Sequence, residues 1–132
     1  MEIYLDENLS KYVAEALNLL SKGYFQNIQV LSTIEKFGKS ATDETIIPAV
    51  GNVNGILITR DIQISRSQLQ FDLCKEFKIG ILFLHLEKGS DRHWDLVRLL
   101  INHWQGIVNL SINERRPFAF KVKVKGRMEK LK

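Results

Sequence analysis

Ile56-Leu57-Ile58-Thr59-Arg60-Asp61 is the stretch on which the fold turns. A strand with one wet face alternates apolar and polar residues, whereas this one opens on an unbroken apolar run, so both of its faces must be covered. Turn chemistry from Gly51 to Gly55 precedes it, and an acid ends it. The plan recurs upstream, where Ile3-Tyr4-Leu5 runs into Asp6-Glu7-Asn8, and downstream, where the apolar run Ile79 to Leu84 is broken by His85 and Glu87. Continuous apolar strands separated by helical patterns predict an α/β sandwich of three layers around a mainly parallel sheet.

The segments between the strands read as follows. Ser10 is an N-cap ahead of Val13, Ala16, Leu17 and Leu20, and Lys22-Gly23 closes that helix. Ile28 to Leu31 is a second short strand, followed by a loop from Glu35 to Ser40 that contains Gly38. Thr42 caps a helix opening on Asp43-Glu44, which Pro48 limits to a turn or two, or kinks, because its ring removes a donor. Leu69, Leu73, Cys74 and Phe77 mark a further helix. Ser90-Asp91 begins the longest one, with Trp94, Val97, Ile101 and Trp104 on its core face. Finally Phe118, Phe120, Val122 and Val124 alternate with Ala119, Lys121, Lys123 and Lys125, a half-buried strand with a basic outer face at the sheet edge.

Length and composition bound the rest. The 132 residues suit one domain (1–132) with a basic C-terminal strand and tail at 114–132, and the 45% hydrophobic and 26% charged shares are those of a globular chain. No apolar run approaches the roughly 20 residues that span a bilayer, and the N-terminus lacks a signal-peptide pattern, so no membrane partner and a cytoplasmic location are expected. The lone Cys74 has no partner for a disulfide or zinc knuckle and reads as a small buried residue. Residues 114–132 hold eight Lys or Arg against two acids, so at a net charge of +4 the remaining chain stands at −2. A basic end on an acidic body suits a polyanion held near an acidic site, and a solvated edge gives the same numbers.

In parallel sheets ligands sit beyond the carboxyl ends of the strands, where Asp6 and Asp61 both fall. Asp43-Glu44, opening a helix after a glycine-containing loop, can face the same crevice, although acids there also suit the helix dipole. Grouped carboxylates repel, and a hard divalent cation such as Mg²⁺ or Mn²⁺ is the usual remedy. Such a site hydrolyses phosphodiesters without a protein nucleophile. No G-x-S-x-G, P-loop or G-x-G-x-x-G motif occurs, which removes acyl-transfer and nucleotide-binding readings.

Leu5-Asp6-Glu7-Asn8-Leu9, Ala41-Thr42-Asp43-Glu44 and Ile56 to Asp61, in that order, resemble the PIN-like domains related to VapC toxin ribonucleases. The resemblance covers roughly residues 3 to 85. It implies a PIN-type α/β/α sandwich, Mg²⁺- or Mn²⁺-dependent cleavage of single-stranded RNA, and membership of a toxin–antitoxin pair. By position Asp6, Asp43 and Asp61 become the metal ligands and catalytic residues, with Glu44 an alternative to Asp43. One departure stands out: relatives continue the third motif with a further acid where this chain has Gln63, which implies weak or absent binding of a second metal.

Around that site Arg60, Arg66, Gln68 and Gln70 are candidates for steadying a sugar–phosphate backbone, and Arg115, Arg116, Lys121, Lys123 and Lys125 form the electrostatic footprint for RNA. Lysines on an outer strand also prevent edge-to-edge aggregation. His85, His93 and His103 lack the spacing of a helical zinc pair; His85 stands where it can contact a phosphate, although capping or surface packing is the commoner role for a residue so placed. An antitoxin protein and a homodimer partner complete the expectations. The rivals are a non-catalytic binding module on the same fold and a receiver-like phosphoacceptor at Asp61, disfavoured because no Lys follows the Ile79 to Leu84 strand before Glu87.

Overall fold

A computed structural model describes residues 1–60, 64–87 and 92–131, with 64–67 and 92 described as backbone only. Asp61, Gln63, Ser90, Asp91 and the side chain of Arg66 therefore lie outside the described residues. The elements run β1 (Glu2–Leu5), α1 (Lys11–Lys22), β2 (Gln29–Ser32), α2 (Thr33–Phe37), α3 (Asp43–Asn52), β3 (Ile56–Arg60), α4 (Ile64–Phe77), β4 (Gly80–Leu84), α5 (Arg92–Asn113), β5 (Phe118–Val122) and β6 (Glu129–Lys130). They build a six-stranded sheet in the order β2-β1-β3-β4-β5-β6, parallel throughout except for β6. The expected α/β sandwich is the observed fold.

Strand alternation divides the core in two. Ile3, Leu5, Ile56, Ile58, Leu82, Leu84, Phe118, Phe120 and Val122 face α1 and α5, where they meet Ala14, Leu17, Leu99, Leu100, Ile107 and Val108. Tyr4, Leu57, Ile81, Phe83 and Ala119 face the other way, onto Ile46, Ile47 and Val50 of α3 and Cys74 of α4. With both faces covered, β3 and β4 have no need of polar residues along most of their length, and that is why they read as continuous apolar runs. Cys74 is buried, its thiol donates to the Ile79 carbonyl at 3.0 Å, and burial pushes its pKa up to about 11. It is a packing residue.

Several sequence expectations are corrected. Residues 33–37 form a short helix where a loop was expected from Glu35; Gly38 ends it at φ +92, a conformation that only glycine adopts without strain. Pro48 sits inside a ten-residue α3. The donor it lacks would serve the Glu44 carbonyl in the first turn, and burial of Ile46, Ile47 and Val50 holds the helix past that gap. On α1 the buried positions are Ala14, Leu17 and Ser21 rather than Ala16 and Leu20, and on α5 Trp104 is buried while Trp94 and Ile101 are 59% and 54% exposed. A helical period fixes the spacing of a face but not which of two adjacent apolar stripes packs inward. Ser21 settles the matter by accepting a hydrogen bond from Trp104 Nε1 at 2.9 Å inside the α1–α5 contact.

The basic strand is also not an edge. β5 lies between β4 and the two-residue β6, and Val124 falls beyond it, 57% exposed. The aromatic side chains Phe118 and Phe120 are buried on the α5 side, so β5 takes a full place in the sheet. Among the described residues, no helix is long and apolar enough to cross a membrane.

Candidate metal centre

β1 delivers Asp6 directly past its last residue, and the parallel pairing to β3 fixes it there: the Asp6 N–H donates to the Ile58 carbonyl at 2.9 Å, continuing the ladder one step beyond Leu5. Asp6 is 3% exposed. By alternation its side chain shares the face of Tyr4, the α3–α4 side of the sheet, and there the fully buried Thr59 hydroxyl donates to Asp6 Oδ2 at 2.8 Å. A buried carboxylate is costly unless charge and hydrogen bonds compensate it. A carboxylate offers about four lone-pair sites, and Thr59 orients the group through one of them.

Asp43 is the first residue of α3, 8% exposed, on the helix that packs against this same face. Thr42 precedes it in extended geometry but makes no capping bond; its hydroxyl lies 3.2 Å from that of Thr45. The loop carrying Asp43 is tied to the β1 turn, because Glu7 accepts a hydrogen bond from the Ser40 N–H at 3.1 Å. Asp6 and Asp43 are thus brought to one side of the sheet, while Glu44 is exposed. The third expected acid, Asp61, directly follows Arg60 at the end of β3 and lies outside the described residues. Among the described residues no three His, Cys, Asp or Glu side chains form a metal-binding group.

A family model described as a PIN like domain matches residues 1–86. The chain belongs to the PIN-like domain family. Compared with curated proteins and with solved structures, it finds no match. Membership suggests a nuclease-type module. The match takes in Asp6, Asp43, Thr59 and His85 and stops before α5 and β5, so the basic C-terminal strand lies outside the matched range.

The remaining candidates separate. Arg60 lines a cleft with Asn8, Ser10, His93, Leu96 and Leu100, on the α1–α5 side and therefore across the sheet from Asp6. Arg115 and Arg116 precede β5, whose first residue is in register with Gly80 and, through β4, with Ile56; that is the opposite end of the strands from Asp6. Arg116 is packed there against the Phe118 ring and donates to Met1 Sδ at 3.4 Å, and burial lowers its pKa from the ordinary guanidinium value. Lys121, Lys123 and Lys125 run to the correct end. Of the glutamines, Gln70 is buried, and Gln68 donates to Asp72 at 3.0 Å on its own helix.

The residue that sequence reasoning missed as functional is Thr59. Its signal was a hydroxyl in an otherwise apolar strand, since a buried polar group must find a partner and the nearest acid-bearing strand end is one strand away.

Proposed function

We propose that this PIN-like chain is an endoribonuclease that cleaves single-stranded RNA with the help of Mg²⁺ or Mn²⁺, and that it acts as the toxin of a toxin–antitoxin pair. The observation that carries the reading is the pair of buried carboxylates, Asp6 and Asp43, on one face at the carboxyl end of a parallel sheet. The donors are all hard oxygens, the set that suits these cations. Asp6, Asp43 and Asp61 would hold the cation, with Glu44 at the outer rim. When bound, it lowers the pKa of a coordinated water and stabilises charge on the attacking and leaving oxygens. The chain's own residues do the positioning: Thr59 fixes the rotamer of Asp6, the Glu7–Ser40 bond holds the Asp43 loop, and the lysines of β5 and its extension gather RNA.

A protein partner, antitoxin or second copy, finds support in the α1–α5 face. Tyr12, Leu20, Trp94 and Ile101 are each more than half exposed and border one continuous groove of about 220 Å³ with Val13 and Val97. Exposed apolar surface of this kind, rich in aromatic residues, marks interaction sites.

Labelled single-stranded RNA incubated with the protein in EDTA, Mg²⁺ and Mn²⁺ tests the reading. Slow cleavage in Mn²⁺ is expected, abolished by EDTA and reduced on the order of 100-fold or more by Asp6→Asn or Asp61→Asn. Gln63→Asp should raise the rate by restoring an acid for a second cation. Cleavage that persists in EDTA or in Asp6→Asn overturns the proposal, and silence from both wild type and Gln63→Asp assigns the chain to the binding-module alternative.

A further inference from the structure

The parallel register sets the strand ends in a row. Arg60, Leu84 and Val122 stand level across β3, β4 and β5, so His85 and Lys123 are the next residues out on adjacent strands, joined by the His85 N–H to the Val122 carbonyl at 2.9 Å. Beyond that bond the chain opens a cleft of about 440 Å³, lined among the described residues by His85, Glu87, Lys123, Val124 and Lys125. By alternation from Ala119, Lys121 and Lys123 point to the α3–α4 side, the face on which Asp6 and Asp43 lie. Among the described residues, two ammonium groups and an imidazole thus line the cleft with one carboxylate, Glu87. Lys123 also pairs with Glu129 at 3.3 Å, but both side chains are about half exposed, and a surface pair of that kind is weak enough to yield to a phosphate.

Spacing says how far this cleft is from the acids. Asp6 leaves β1, and β5 is three strands away through β3 and β4; at about 4.8 Å per strand, with two residues of extra rise, the separation is roughly 16 Å. That is too far for the phosphate being cleaved and fits one about two nucleotides along an extended strand.

We propose that the cleft between the ends of β4 and β5 is a phosphate subsite, in which Lys123, Lys125 and His85 hold the backbone of single-stranded RNA about two nucleotides from Asp6 and Asp43. This deepens the nuclease reading and rests on it for the identity of the ligand. It divides the work along the chain: the PIN-like portion carries the acids and His85, and the segment beyond the family match supplies the charge that decides how long a substrate must be.

Fluorescence anisotropy with a labelled uridine dodecamer, in EDTA so that nothing is cut, tests the subsite. In Lys123→Gln/Lys125→Gln the dodecamer should bind about tenfold more weakly at low salt, and its plot of log affinity against log salt should flatten by about 1.4, near 0.7 for each phosphate no longer neutralised. Lys22→Gln/Lys75→Gln, which removes the same charge at the opposite end of the strands, should leave that slope unchanged. His85→Gln should also weaken the dodecamer. An unchanged slope in a Lys123/Lys125 variant with a native circular dichroism spectrum overturns the subsite, as does an equal flattening in the Lys22/Lys75 variant. Because no cleavage is read, a flattened slope beside a catalytically silent wild type would uphold the subsite while the nuclease reading fails.

Discussion

Where the parallel strands begin, Gly80 has no room for a methyl group between the Phe118 ring and Ile56 Cδ1, and the Arg116 guanidinium is packed against Met1 and Phe118. Where they end, Asp6, Arg60, His85 and Lys123 leave neighbouring strands in turn, each with a different chemistry. The same backbone ladder joins the two ends, yet the first is defined by volume and the second by charge. In a parallel sheet all the strands finish together, so polar residues collected at that end need not interrupt the core, whereas the start of the strands can be filled as tightly as any interior.

That contrast can be broken by mutation. Gly80→Ala should have the largest effect: a Cβ would overlap Phe118 and lie 2.6 Å from Ile56 Cδ1, so overpacking should cost about 3 kcal/mol, read as a drop in the urea midpoint with an unchanged slope. If Asp6→Asn at the other end destabilises the fold as much, the division into a packed end and a chemical end fails. The α1–α5 contact should respond less. Ser21→Ala strands the indole N–H of Trp104, and a buried donor without a partner costs about 1 to 3 kcal/mol. A Ser21→Ala protein as stable as the wild type would show that water reaches Trp104.

The smallest effect concerns pH and sharpens the picture of the α3–α4 face. Burial, followed by the hydrogen bond to Glu2, raises Tyr4 from 10.0 to about 12, and burial raises Cys74 from 9.0 to about 11. In each case the folded chain holds its proton more tightly than the unfolded one. The stability this contributes is complete below pH 9 and is lost as pH climbs from about 9 towards about 12. Urea midpoints at pH 8, 9.5 and 10.5 should fall in that order, and Tyr4→Phe/Cys74→Ala should fall less; a parallel decline in the variant would mean that other groups set the alkaline limit.

The sequence carried the strands most clearly. Ile56 to Thr59 and Ile79 to Leu84 are unambiguous because a strand covered on both faces has no other pattern, and the acids that follow strands fall where a topological rule puts ligands. Helix faces were harder. Tyr12, Leu20, Trp94 and Ile101 keep a helical period yet face outward, since local spacing cannot see which apolar stripe the neighbouring layer covers. Arg115 and Arg116 illustrate a different limit. They stand in the basic C-terminal segment with Lys121 to Lys125, but a strand of five residues carries the chain from one end of the sheet to the other, and charge counted along sequence takes no account of that journey. The placement of Thr59 beside Asp6 depended on strand order, which only the assembled sheet provides.

The family match ends at residue 86, two positions past β4, but the outer side of β4 is occupied by β5 along all five of its residues, from Gly80 opposite Phe118 to Leu84 opposite Val122. A chain cut at the family boundary would therefore present an uncovered ribbon of amide donors and acceptors beside an apolar strand, the kind of template on which other chains add and precipitate. The segment beyond the matched range thus closes the hydrogen-bonding edge of β4 as well as carrying the basic residues.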